Sequence, residues 1–237
     1  MLALSDVNTY YDNSHILHDV SLQVKSGETV ALLGRNGVGK TTTMRTIMGL
    51  TPARRGRIRF KDTDIERWKP YQIARAGIGF VPEERWIFPT LTVHQNLLIG
   101  LKSEPYASNQ GLEPWSLEKC YDTFPSLKKR QFAKGGTLSG GEQQMLTIAR
   151  TLVGNPELIL IDEPTEGLAP KIVDVVAEII QTIARQGISV LLVEQKLSIA
   201  LELADRIYVI SKGMIQWHGT PEELRSSEEV RKSYLEV

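Results

Sequence analysis

Cysteine is almost missing from this 237-residue chain, where Cys120 stands alone. A single thiol cannot close an internal disulfide, so the fold must be held by its core, as suits a reducing compartment. No His–acid pair flags Cys120 as a nucleophile, and a small buried residue is the simpler reading. Long apolar runs are missing too: none reaches the ~18 residues needed to span a bilayer. The opening stretch "MLALSDVNTYYDN" carries Asp6 and Asp12 and no basic start. We therefore expect no signal peptide, and any attachment to a membrane would come through a partner. Nor is there an excess of charge, since 28 basic side chains balance 28 acidic ones. Such neutrality speaks against a nucleic-acid binder. His15, His18, His94 and His218 are scattered without metal-ligand spacing, which argues against zinc. Trp68, Trp86, Trp115 and Trp217 form no stacking platform for bases and suit packing or partner contacts.

What is present is an ordinary globular balance, 41% apolar and 24% charged, long enough for one large domain or a domain with an insertion. Short β-branched runs at 28–34, 78–83, 157–163, 189–194 and 206–211 alternate with helical patterns at 39–49, 141–153, 171–185 and 196–204. Several of the runs are apolar on both faces, as a buried parallel sheet requires. Pro170 can open the third helix and Ser139 can cap the second. "IRF" at 58–60 and "MIQWHG" at 214–219 look like antiparallel pieces near the two ends. From about Glu84 to Asn155 no convincing strand appears. The pattern predicts an α/β core (1–83 and 156–237) with an inserted helical subdomain (84–155), all one domain. The tail from Thr220 to Val237 reads as a charged, solvated surface helix.

Two glycine-rich stretches carry the chemistry. The first, Gly34-Arg35-Asn36-Gly37-Val38-Gly39-Lys40-Thr41, lies between a strand and a helix with the spacing of a phosphate-binding P-loop. Its glycines let the backbone wrap an anion, and the helix N-terminus points partial positive charge at it. Lys40 should reach the β and γ phosphates of ATP, Thr41 should hold Mg²⁺, and Thr42 can donate to the α phosphate. "LILIDE" at 158–163 ends a buried strand in two acids, where ligands sit in open parallel sheets. Asp162 would hold Mg²⁺ and Glu163 would orient or deprotonate the attacking water. The second stretch, "LSGGEQQ" at 138–144, is redundant if it serves the same nucleotide. Ser139, Gly140, Gly141 and Glu142 open another helix, able to cap a γ phosphate. The arrangement makes sense if it faces the P-loop of a second chain, with ATP sandwiched between the two.

"GRNGVGKTTT", "TLSGGEQQMLTIAR" and "LILIDEPTEGLAP", in this order, resemble the nucleotide-binding subunits of ATP-binding-cassette (ABC) transporters over essentially the whole chain. The resemblance implies a P-loop NTPase fold with a mainly parallel sheet, an antiparallel β subdomain and a helical subdomain that docks on membrane-spanning permease subunits. It implies an ATPase at the cytoplasmic face of the inner membrane, working with a second ATPase subunit, itself or a homologue, and indirectly with a solute-binding protein. By the same resemblance Tyr11 stacks on adenine; as bare sequence a pair such as Tyr10–Tyr11 is more often packing. Two positions depart from the common pattern. Glu83 stands where most members have a Gln that contacts Mg²⁺ and water, and it can itself ligate the metal. Gln195 stands where a His usually meets the γ phosphate, and its amide can donate but not shuttle a proton. Leu168-Ala169-Pro170 also departs from the commoner form ending in Asp. "VPE", "FPTLTVHQNL" and "LLVEQ" resemble one of the two ATPase subunits of importers for branched-chain and other hydrophobic amino acids, with urea and short-chain amide importers close by. Trp86 and Phe88 are the expected partner-facing patch. A soluble ABC ATPase acting on ribosomes or DNA usually has two cassettes or a long coiled-coil insert, and neither is present. A non-hydrolysing regulator would not need Lys40, Asp162 and Glu163 together.

Overall fold

The computed structural model describes residues 1–102 and 113–235; the remainder of the expected insert and the end of the tail lie outside them. Among the described residues ten strands form two sheets. An antiparallel sheet is built from β1 (Leu2–Tyr11), β2 (Ser14–Val24), β4 (Arg55–Phe60) and β5 (Thr63–Asp64) in the order β2-β1-β4-β5. The second sheet runs β10-β9-β3-β8-β7-β6. Its strands are β3 (Thr29–Leu33), β6 (Ile78–Val81), β7 (Leu158–Asp162), β8 (Ser189–Glu194), β9 (Arg206–Ser211) and β10 (Met214–Gly219). All its pairings are parallel except β9 with β10.

The two-sided apolar runs explain this layering. In β7, Leu158 and Leu160 face one core with the antiparallel sheet, while Ile159 and Ile161 face another with the helices. In β8, Leu191 and Val193 take the first side, Val190 and Leu192 the second. Each such side chain contributes about 1.5–3 kcal/mol when fully removed from water, so period-two alternation commits both faces of the sheet to burial.

Among the described residues the α-helices are α1 (Lys40–Ile47), α2 (Pro70–Ala76), α3 (Val93–Gly100), α4 (Leu117–Thr123), α5 (Pro125–Lys129), α6 (Gly140–Leu152), α7 (Pro170–Arg185), α8 (Leu197–Leu203), α9 (Pro221–Ser226) and the short α10 (Glu228–Val230). Among the described residues 84–155 contribute helices and no strand. Their apolar side chains, including Leu97, Phe124 and Leu146, run into the same cluster as β7, β8 and α7. The helical stretch therefore shares its core with the sheet. Pro170 opens α7 and Ser139 caps α6, as the sequence predicts.

The tail departs from expectation. Its helix breaks after Ser226, and it is not solvated all round. Leu224 is buried, and Val230, Tyr234 and Leu235 pack against the cluster containing Ile207 and Val209. The apolar residues spaced among its charges seat it on β9. Cys120 is buried, and burial pushes its thiol up to about 12, so it is a packing residue.

Candidate active site

β3 is flanked by β8 and β9, and β8 separates it from β7. Parallel register brings their C-terminal ends to one edge: Leu33 pairs with Glu194, and Asp162 with Val193. The chain leaving β3 turns through Gly37 (φ 76°) and Gly39 (φ 109°) into α1. A Cβ on Gly39 would stand 2.8 Å from Leu17 Cδ2, so the turn fits only glycine on both conformational and steric grounds. The turn is buttressed from outside, because Gly213 N donates to Val38 O at 2.9 Å and His18 N donates to Gly213 O at 2.8 Å.

A cavity of about 360 Å³ lies against this turn. The turn and α1 line it with Asn36, Gly37, Gly39, Lys40, Thr41 and Thr42. The β1–β2 hairpin adds Tyr11 and Ile16, and three carboxylates close it: Glu83, Glu163 and Glu166. Gly34 is buried beneath, Arg35 is exposed and Val38 half-buried beside it.

Lys40 Nζ donates to Gly34 O and Arg35 O, both at 2.9 Å, and pairs with Glu163 Oε1 at 3.0 Å. All three ammonium protons thus have acceptors. Asp162 is wholly buried; Thr41 Oγ1 donates to its Oδ1 at 3.3 Å, and its Oδ2 has no hydrogen-bond partner. Burial raises the Asp162 carboxyl to about 7. Glu166 is also raised to about 7, by its hydrogen bond to Glu163 and then by burial. Glu83 is raised by burial and by the charge of Glu163. Glu163 itself sits at φ 42°, a left-handed conformation that a non-glycine residue adopts under constraint.

The orphaned Asp162 oxygen beside a threonine hydroxyl is a donor set that fits a hard divalent cation. Buried, unpaired carboxylate is costly, and a cation at Thr41 and Asp162, with Glu83 in reach of the same cavity, would relieve it.

The tyrosine pair separates. Tyr10 stacks on His15 with centroids 4.1 Å apart and receives the Arg54 guanidinium at 4.5 Å. Tyr11 is 41% exposed and lines the cavity with Ile16.

Ser139 is exposed and lies outside that cavity wall. Its hydroxyl accepts from Glu142 N at 3.4 Å, and Ser139 N donates to Glu142 Oε2 at 2.9 Å. Behind this capping box Gly140 is half-buried and Gly141 buried, so Ser139 is the exposed residue of the turn that opens α6. Gln195 is exposed and is not part of the cavity wall.

Sequence reasoning missed Glu194, one residue earlier. It is buried, accepting from Thr165 Oγ1 at 2.9 Å and from Gln195 N at 3.2 Å, and burial raises its carboxyl. The signal was available: like Asp162, it is an acid ending an apolar strand. Glu166 and Ile16 were missed as well. Glu166 sits in the quoted "EGLAP" stretch, and Ile16 carries no distinguishing sequence signal.

Residues 17–166 match the family model described as ABC transporter. The chain is 43% identical over 235 residues, 99% of each protein, to a high-affinity branched-chain amino acid transport ATP-binding protein, BraG, of Pseudomonas aeruginosa. It is 36% identical over 233 residues, 95% of this chain and 92% of the relative, to LptB, the lipopolysaccharide export system ATP-binding protein of Escherichia coli. Among solved structures, the ADP conformation of an ATP-binding cassette of an ABC transporter matches at TM-score 0.82 and 28% identity, covering 98% of this chain and 97% of that one. On sequence, fold and site alike, the chain belongs to the ABC transporter family.

Proposed function

We propose that this chain is the ATP-hydrolysing subunit of a membrane importer for branched-chain or other hydrophobic amino acids. The observation that carries the ATPase reading is the cavity lined by Lys40, Thr41 and Glu163, with the buried Asp162 accepting from Thr41 beside it. The triphosphate lies along Gly34–Thr42, with backbone N–H groups and Lys40 neutralising it. Tyr11 stacks on the adenine. Thr41 and Asp162, with Glu83 in reach, would hold Mg²⁺, which would supply charge neutralisation at the terminal phosphates. Glu163 orients and accepts a proton from the attacking water once the phosphates have drawn Lys40 away from it. Gln195 donates to the γ phosphate when the cavity closes.

Ser139, Gly140 and Gly141 serve a nucleotide held by a second copy or a homologous ATPase. Ser139 is exposed and all three lie outside the chain's own cavity wall, which supports this seam arrangement. ATP then joins two subunits and hydrolysis releases them, a two-state element able to drive transport. Residues 84–155 act as the inserted helical subdomain on a core of 1–83 and 156–237. Trp86 and Phe88, both about half exposed, give it an apolar face for permease subunits, which in turn receive solute from a binding protein. No helix among the described residues is long and apolar enough to cross a membrane, so attachment runs through those partners.

The solute follows from the BraG likeness, at 43% identity against 36% for LptB. Uptake of a radiolabelled branched-chain amino acid by vesicles carrying the whole transporter tests it. Uptake should require ATP and fail with Lys40→Ala; ATP-driven uptake of urea in preference to leucine would reassign the solute.

A further inference from the structure

Arg85 joins three segments that the chemistry uses separately. Its backbone belongs to the loop after Glu83 and is fastened to α6, where Thr147 Oγ1 donates to Arg85 O. Arg150 Nη2 donates to Trp86 O at 2.7 Å, adding a second tie to the same helix. These ties hold Arg85 and Trp86 at φ 64° and 27°, in the left-handed region that side chains avoid. The Arg85 side chain runs to a different element, with Nη2 donating to Glu166 O at 3.2 Å. Its Nη1 lies against the first residue of α6, so that a Cβ on Gly140 would stand 3.1 Å from it.

The placement is electrostatically unfavourable on its own terms. Arg85 Nε is buried without a hydrogen-bond partner, and no carboxylate among the described residues pairs with the guanidinium. A cation at the positive end of a 13-residue helix is opposed by the helix dipole as well as by desolvation. An arginine held there against both effects has a task other than stability.

We propose that Arg85 is a positioning residue for nucleotide turnover, a strap that makes the loop of Glu163 and the Ser139 turn move as one piece. The inference rests on the seam arrangement described above. Glu166 N donates to Glu163 O at 3.2 Å, so a shift of Glu163 on nucleotide binding carries the Glu166 carbonyl with it. The guanidinium passes that shift to the first turn of α6, whose Ser139 serves the neighbouring subunit's nucleotide. Occupancy of one site thereby sets the geometry of the other. Arg85 is absent from the cavity wall, so the affinity of a single subunit for nucleotide does not depend on it.

The test compares Arg85→Ala, alone and combined with Glu163→Gln, with each parent. Affinity for a fluorescent ATP analogue should stay within about twofold, while kcat falls about 10²-fold with little change in KM, as expected when a positioning group is lost. Glu163→Gln alone should dimerise with ATP, and Arg85→Ala/Glu163→Gln should not. Arg85→Lys should remain slow, because a single ammonium cannot lie against Gly140 and reach Glu166 O together. Guanidinium added below denaturing concentrations should restore part of the Arg85→Ala rate. If Arg85→Ala proves unstable, Arg85→Gln serves in its place with the same expected split. A monomeric Glu163→Gln would sink the seam arrangement. A dimeric Arg85→Ala/Glu163→Gln combined with parental kcat in Arg85→Ala would overturn the strap.

Discussion

Lys40 Nζ lies 3.0 Å from Glu163 Oε1, and the two side chains are only 3% and 8% exposed. The cation proposed to bind phosphate and the carboxylate proposed to activate water neutralise one another. On the proposed function, ATP binding exchanges one anion for another at Lys40.

Removing one member of a buried pair leaves the other charged and unpaired, at a cost of about 3–5 kcal/mol. Lys40→Ala should abolish nucleotide binding and also lower the thermal unfolding midpoint. Lys40→Ala/Glu163→Gln should recover much of that midpoint without recovering binding. Differential scanning calorimetry decides it, and additive losses in the double variant would show that the pair is not coupled.

Asp162 contributes to the pH dependence of stability, because burial raises its carboxyl from 3.8 to about 7. A carboxyl raised in the folded state favours folding below its unfolded pKa, and that contribution is lost as pH climbs through the folded value. Nucleotide-free stability should thus decline on its account between roughly pH 4 and pH 7. Asp162→Asn should melt above the parent at about pH 8, with the difference shrinking toward about pH 4. It should also lose Mg-dependent hydrolysis. An Asp162→Asn chain that melts lower than the parent in alkaline buffer contradicts the assignment.

The hairpin tyrosines should respond oppositely. Tyr11→Ala should weaken ATP binding by about 1–3 kcal/mol, the value of a base–aromatic stack, and Tyr11→Phe should bind as the parent does. Tyr10→Ala removes the stack on His15 and the seat of Arg54, so it should lower stability while sparing affinity. Isothermal titration calorimetry with thermal melts separates the two; equal affinity losses would mean that Tyr11 has no special place.

How far the sequence foretold all this depends on the kind of signal. β7 and β8 were legible because both their faces are buried, which writes continuous apolar runs into the chain. The P-loop was legible because only glycine fits its turn. The tail misled, since Leu224 and Tyr234 lie among charges that dominate its composition. Glu194 was passed over for Gln195 because its importance lies in burial and in the Thr165 hydroxyl it accepts from, neither of which a motif displays. Arg85 has no motif at all; only the fold brings its side chain from one loop to another.

Cys120 offers a reporter independent of the site. With its thiol buried and pushed up to about 12, thiolate is scarce and access closed. Modification by a maleimide should therefore track global unfolding. Rapid labelling of the native chain, with no change in its melting curve, would show a local opening around α4.

The seam itself is best tested by determining the structure of Glu163→Gln with ATP bound. The account predicts a dimer in which Ser139 of one subunit lies within hydrogen-bond reach, about 3 Å, of the triphosphate that Lys40 of the other subunit holds. A dimer, or a monomer, in which every Ser139 stands remote from nucleotide would contradict it.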